Sequence, residues 1–152
     1  MVAAPRLAGP ADAVALVDLR AAMFEAMGQD VTGPDWRAAA RRWFERRLAG
    51  DDVLVVLADA PGGGPVSCAM AVLEDVAPSP SDPVGRRAHL SNVSTLPAHR
   101  GRGLARACVG MLVAELDARG VRRTDLFATA DGEALYRSFG FRTSPYPALR
   151  RP

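Results

Sequence analysis

The feature that most constrains the fold of this sequence is a turn rich in glycine and arginine, Arg100–Ala105, between two contrasting segments. A strand-like run precedes it and an amphipathic helical pattern follows it. A helix N-terminus presents unpaired backbone N–H groups and the positive end of the helix dipole. The glycines let a ligand approach that backbone closely, and the arginines add positive charge. The turn therefore predicts an anion site suited to a phosphate group.

The run before the turn does not alternate as a regular strand requires. Leu90, Val93 and Leu96 are spaced by three, whereas side chains on one face of a strand recur every second residue. A β-bulge near residues 92–94 would account for this slip and leave a backbone N–H free to face a ligand. The alternative is that Leu96 already belongs to the turn.

Hydrophobic periodicity predicts a sheet flanked by helices. Two helices come first, over Ala11–Met27 and Asp35–Ala49, and a glycine follows each. Strands and helices then alternate, with a proline-rich loop among them. The predicted elements are strands over Val53–Ala58, Val66–Glu74, Ala88–Leu96 and Val121–Ala128, helices over Gly103–Arg119 and Gly132–Ser138, a loop over Val76–Arg87, and a last strand from Phe141.

This order indicates an α/β (α+β) fold with a mixed, partly antiparallel central sheet flanked by helices. At 152 residues the chain is expected to form a single domain over residues 1–152. The last strand is short and would leave a sheet edge, which a homodimer is one way to cover.

Composition narrows the classes of partner. The formal net charge is only +2, which argues against bulk electrostatic binding of nucleic acid, even through the arginines at positions 41–47. The sequence has no apolar run of the length that crosses a membrane and no signal-peptide pattern at its start. Cys68 and Cys108 each lie in an apolar run, which favours buried free thiols over a disulfide. A cytoplasmic protein is expected.

Two blocks of the sequence match a known family. The segment Leu96–Ala105 resembles the acetyl-coenzyme A signature of the GNAT superfamily of N-acetyltransferases, (Arg/Gln)-x-x-Gly-x-(Gly/Ala). Ala134–Phe141 resembles the family's tyrosine helix and the Gly-Phe start of its next strand. The likeness covers roughly residues 50–145. A Rossmann dinucleotide site fits worse, because Arg106 stands where the third glycine would be and no acidic partner follows.

The resemblance implies acetyl-coenzyme A as co-substrate, no metal, and a V-shaped opening between the strands predicted at 88–96 and 121–128. The pantetheine arm would pair with the backbone of the first of these strands, and the pyrophosphate would lie on the turn. The residues implied to bind the cofactor are Val93, Ser94, Thr95, Arg100, Gly101, Arg102, Gly103, Leu104, Ala105 and Arg106.

The same resemblance assigns the chemistry. Tyr136 is the candidate general acid for the leaving thiolate, since a phenol pKa of about 10 is close to that of a thiol. Its alternative role is that of a core tyrosine. A backbone N–H of the bulge is the candidate donor to the carbonyl oxygen. The general base is not evident, because Thr124 occupies the position where relatives often carry a glutamate, and Thr129 replaces a common asparagine.

The acceptor side is less defined. The candidates for binding the amine are Glu25, Asp30, His89 and Asn92. The leading function is an N-acetyltransferase acting on a primary amine of a small molecule or a protein, and use of a longer acyl chain stays open. The alternative is a non-catalytic domain that binds or senses acyl-coenzyme A.

Overall fold

A five-stranded sheet, whose strands follow one another in chain order, forms the centre of the computed structural model, which describes residues 4–152. The first four strands pair antiparallel, and the last pairs parallel to the fourth. The elements in chain order are β1 (Arg6–Leu7), α1 (Ala13–Ala26), α2 (Pro34–Arg47), β2 (Val53–Asp59), β3 (Pro65–Asp75), β4 (Arg86–Thr95), α3 (Leu104–Ala118), β5 (Arg123–Asp125) and α4 (Glu133–Ser138).

The predicted fold class is confirmed, with corrections at both ends of the sheet. The strand predicted over Val121–Ala128 is reduced to the three residues of β5. The last strand predicted from Phe141 is wrong, because residues 139–152 contain no strand. Two of these residues, Pro145 and Pro147, have no backbone N–H to give to a sheet ladder. The two-residue strand β1 was not predicted, since so short a segment carries no periodicity.

Strand β2 is buried on both of its faces, which explains why it reads as a continuous apolar run. Val55 and Leu57 pack with α1 and α2, whereas Leu54 and Val56 pack with α3. Cys68 and Cys108 are buried free thiols, as predicted. None of the helices formed by residues 4–152 is long and apolar enough to cross a membrane.

Arg6 ties β1 to the turn before α1. Its guanidinium donates hydrogen bonds to Asp12 at 2.9 Å and to Asp59 at 2.8 Å. The Asp12 carboxylate also accepts the backbone N–H of Gly9. These hydrogen bonds, chiefly those from Arg6, hold the pKa of Asp12 below its ordinary value.

The Asp12 ion pair predicts a loss of stability in acid. A carboxylate whose pKa is depressed by folding stabilises the protein above its unfolded pKa, and this contribution is lost as the pH falls through the folded pKa. We therefore expect the difference in melting temperature between the wild type and Asp12→Asn to shrink from about pH 6 to about pH 3. Thermal melts across this range measure it, and a constant difference would contradict the assignment.

Candidate active site

The sheet opens beside β4 because β5 stops early. The two strands pair only over Arg87–His89 and Arg123–Asp125. Beyond His89, β4 continues to Thr95 with no strand of residues 4–152 on that side. The outer edge of its last residues therefore keeps backbone N–H and C=O groups that a ligand can pair with. This edge lines a cavity of about 1020 Å³, which is called the central cavity below.

A β-bulge interrupts β4 at the wall of the central cavity. The pairing steps from Cys68↔Ser94 to Met70↔Ser91, so that three steps on β4 oppose two on β3. Asn92 lies within the bulge with a φ of 53°, the only positive φ outside glycine in residues 4–152. Asparagine tolerates this conformation better than most residues. The predicted bulge is confirmed.

Side-chain hydrogen bonds hold the bulge and leave its backbone edge to the cavity. Asn92, which is only 3% exposed, accepts a hydrogen bond on Oδ1 from Nη1 of Arg20 at 3.0 Å. The Cys68 thiol donates to the carbonyl of Asn92 at 3.2 Å. Ser94 Oγ donates to the carbonyl of Leu19 in α1. The polar side chains of the bulge are thus engaged within the protein.

The glycine turn brings the N-terminus of α3 to the central cavity. Gly101 and Gly103 have φ values of 74° and 76°, which favour glycine, and a Cβ added at either would meet no atom within 4 Å. Gly103 is the N-cap of α3 and supplies no side chain to the first helical N–H groups. Arg100 closes the turn by donating from Nε to the carbonyl of Thr95 at 3.1 Å. Open space therefore surrounds backbone N–H groups at a helix N-terminus.

The two arginines after Arg100 take different places. Arg102 is exposed and does not line the central cavity, although the sequence placed it in the cofactor site. Arg106 lines the cavity and donates from Nη1 to Ser138 Oγ at 2.9 Å. Its guanidinium also lies over the Phe139 ring, 5.7 Å from the centroid. Arg106 thus links the glycine turn to the end of α4. Of the other residues in the predicted set, Val93, Ser94, Thr95, Arg100, Gly101, Gly103, Leu104 and Ala105 all line the cavity.

Tyr136 lies on α4 at the edge of the same cavity. Its ring packs edge-on against Phe141 and so close to Gly132 that a Cβ added there would lie 3.1 Å from Cε2. Its hydroxyl makes no hydrogen bond to any of residues 4–152, unlike a core tyrosine bonded to the backbone. Partial burial raises the pKa of Tyr136 above its ordinary value. The phenol therefore keeps its proton at neutral pH.

The predicted acceptor residues are divided between several places. His89 and Asn92 line the central cavity, where the His89 ring lies 5.4 Å from that of Phe127. Asp30 lines a second cavity, and Glu25 is exposed and lines neither.

The second cavity, of about 570 Å³, is called the aromatic cavity below. Trp36 and Trp43 of α2 contribute to its wall. It shares Arg20, Phe24 and Met70 with the central cavity, so the two spaces adjoin. Sequence reasoning missed Arg20, because a single arginine in an amphipathic helix reads as a solvated residue. The only signal was its position, one turn before Phe24 on the same face of the predicted helix.

Comparisons of the sequence and of the fold with known proteins point to one family. Residues 14–141 match the model of the acetyltransferase (GNAT) family. The sequence matches no curated protein. One similar solved structure is a predicted acetyltransferase with acetyl-CoA from Clostridium acetobutylicum, with 25% identity, coverage of 99% of this chain and 96% of that chain, and a TM-score of 0.84. Another is a GCN5-related N-acetyltransferase from Ralstonia eutropha, with 29% identity, coverage of 97% of this chain and 96% of that chain, and a TM-score of 0.83.

A more distant structure shares the fold. Glucosamine-6-phosphate N-acetyltransferase from Arabidopsis thaliana has 18% identity, 97% of this chain and 96% of that chain covered, and a TM-score of 0.75. The family model spans most of the chain, including the bulge, the glycine turn and Tyr136. This chain is therefore a member of the acetyltransferase (GNAT) family.

Proposed function

We propose that the protein transfers the acetyl group of acetyl-coenzyme A to a primary amine, with Tyr136 as the general acid. The observation that carries this proposal is that three features line one cavity: the unpaired, bulged edge of β4, the open glycine turn and Tyr136. Each suits a different part of the same co-substrate. The acceptor is a small molecule or a protein.

Backbone groups of the cavity would bind the different parts of acetyl-coenzyme A. The backbone of Val93–Thr95 would pair with the amide groups of the pantetheine arm, and the N–H groups after Gly103 would bind the pyrophosphate. A backbone N–H of the bulge would donate to the carbonyl oxygen as negative charge develops on it. Alignment of the two reactants contributes to the rate by itself.

The transfer balances with one proton donated and one removed. As the amine nitrogen bonds to the acetyl carbon, the carbon–sulfur bond breaks, and Tyr136 gives its proton to the leaving sulfur. The acetylated nitrogen loses a proton, which we propose His89 accepts, directly or through water; His99 and Asp131 also line the cavity. Proton loss to His89 requires the neutral imidazole.

One observation favours the alternative of a non-catalytic sensor of acyl-coenzyme A. No glutamate of the described chain lines the central cavity, where Asp131 is the only carboxylate, so the glutamate base common in relatives is missing there. Thr124 stands in β5 instead and does not line the cavity. Release of coenzyme A thiol with a panel of amines separates the two functions, because a sensor would bind the cofactor and release nothing.

The cofactor site is tested by comparing the two ends of α3. Gly103 and Gly120 both have a positive φ, 76° and 74°, and neither would meet an atom within 4 Å if a Cβ were added. Gly103→Ala and Gly120→Ala should therefore cost similar stability, about 1–2 kcal/mol. We expect only Gly103→Ala to weaken coenzyme A binding, by about tenfold, because its methyl group enters the phosphate site.

Isothermal titration calorimetry with coenzyme A measures both dissociation constants, and thermal melts measure the stability costs. Equal affinities for the two variants would contradict the phosphate site at the turn. Absence of stabilisation of the wild type by coenzyme A would contradict the whole assignment.

A further inference from the structure

Arg20 is a partly buried cation without a carboxylate partner. It lies on α1 between the central and aromatic cavities and lines both. No carboxylate of residues 4–152 comes within 4 Å of its guanidinium, whereas Arg6 contacts two and Arg37 contacts one. Burial lowers the pKa of Arg20 from its ordinary value. Placing a cation in such surroundings is costly unless an anion compensates it.

Most of the donors of Arg20 are available to a ligand. One N–H is used by Asn92 Oδ1 at 3.0 Å. The guanidinium also lies over the Phe24 ring, with Cζ 4.7 Å from the centroid. A guanidinium has five N–H donors in a planar fork that matches a carboxylate. Arg20 is thus positioned and only partly satisfied, as a binding group should be.

The aromatic cavity indicates what the anion is attached to. Its wall is mostly apolar and includes the rings of Phe24, Trp36, Trp43 and Phe44. Arg20 and Asp30 are the only ionised side chains that line it within the described chain, and Asp30 already accepts the N–H and hydroxyl of Thr32. One cation suits a single carboxylate better than a doubly charged phosphate. The occupant expected here is an apolar group that carries one carboxylate.

We propose that the acceptor is an α-amino acid with an apolar side chain, bound by its carboxylate to Arg20. Its side chain would fill the aromatic cavity. Because Arg20 is one hydrogen bond from the bulge residue Asn92, an amine one carbon away from the carboxylate lies next to the bulge. This inference rests on the proposed acetyl transfer and narrows its acceptor to one chemical class.

Binding can be measured without catalysis, because Trp36 and Trp43 are the two tryptophans of the chain and both line the aromatic cavity. Tryptophan emission is titrated with phenylalanine and with phenylalaninamide, which differ only in the carboxylate. We expect phenylalanine to bind at least about tenfold more tightly. Equal affinities would overturn the assignment of Arg20, and so would tighter binding of the phosphonate analogue of phenylalanine, which keeps the amine and the aromatic side chain and replaces only the carboxylate.

Variants connect the preference to Arg20. Arg20→Gln should bring the ratio of the affinities for phenylalanine and phenylalaninamide to about one. Arg20→Lys keeps the charge but loses the planar fork of donors, so it should retain part of the preference for phenylalanine. The matched control is Arg37→Gln. Arg37 also lies over a cavity ring, 5.3 Å from the centroid of Trp36, but does not line the cavity. The ratio is measured within each variant, so an incompletely folded fraction does not alter it. An unchanged ratio in Arg20→Gln would refute the proposal.

Acetyl transfer gives an independent readout. The neighbouring carboxylate raises the pKa of the amine, so phenylalanine has less neutral amine than its amide at neutral pH. A higher kcat/KM for phenylalanine must then come from binding. Binding of phenylalanine with no transfer to any amine would refute the proposed enzyme and leave the Arg20 site standing. Transfer without preference for the carboxylate would overturn the Arg20 site alone.

Discussion

Tyr136→Phe is expected to lower kcat for acetyl transfer by about a hundredfold, because it removes the proton given to the leaving sulfur. The dissociation constant of coenzyme A should stay the same. The ring packs against Phe141 and close to Gly132, and phenylalanine keeps both contacts. The hydroxyl has no hydrogen bond to residues 4–152, so its removal should also leave the melting temperature unchanged.

Three measurements distinguish this role from a structural one. Steady-state kinetics give kcat, calorimetry gives the affinity for coenzyme A, and thermal melts give stability. Tyr146→Phe is the control, since Tyr146 is 81% exposed and lies outside both cavities. Since the acid must be protonated and burial raises its pKa, wild-type activity should not fall through ionisation of Tyr136 until above about pH 10. Parallel loss of kcat and cofactor affinity would contradict the acid role.

Gly85→Ala is expected to lower the free energy of unfolding by about 3 kcal/mol or more. Gly85 has a φ of 72°, and an added Cβ would lie 2.1 Å from the carbonyl oxygen of Val76. This oxygen belongs to the backbone, so it cannot move away by a side-chain rotation. Gly85 also accepts the N–H of Val76 on its carbonyl and donates its own N–H to Asp82 Oδ1. Because these hydrogen bonds close the loop between β3 and β4, we expect the clash to break them.

Gly62→Ala is the matched control for this prediction. Gly62 has a φ of 65° in the turn between β2 and β3, and a Cβ added there would meet nothing within 4 Å. It should cost only the conformational strain, about 1–2 kcal/mol. Urea unfolding of both variants measures the difference between them, which isolates the clash at Gly85. Equal losses of unfolding free energy in the two variants would show that the loop accommodates the added Cβ without a clash.

Local patterns predicted the features that depend on neighbouring residues in the chain. The spacing of Leu90, Val93 and Leu96 was enough to place the bulge, and two glycines before a helical stripe were enough to place the turn. The strand predicted from Phe141 is absent, because an apolar residue at its start does not provide a neighbouring strand to pair with. In addition, Pro145 and Pro147 have no backbone N–H to donate to a neighbouring strand.

Features that depend on distant segments did not follow from local patterns. The opening beside β4 was expected only from the family resemblance, because its size depends on where β5 stops, which the apolar run over Val121–Ala128 did not show. Arg20 could not be recognised as a candidate binding residue from the sequence, because its position depends on the packing of α1 against the bulge. Its hydrogen-bond partner, Asn92, lies 72 residues further along the chain. Arg102 was expected in the cofactor site from the family resemblance, yet it is exposed and does not line the central cavity.

The attachment of α1 to the bulge has a consequence for how such proteins diverge. Ser94 Oγ donates to the carbonyl of Leu19, and the next residue, Arg20, donates to Asn92. Substitutions in α2, which supplies Trp36 and Trp43, can reshape the aromatic cavity without removing either hydrogen bond. If the aromatic cavity binds the acceptor, as we propose, related proteins can change their acceptor through α2 and keep the attachment of α1 to the bulge.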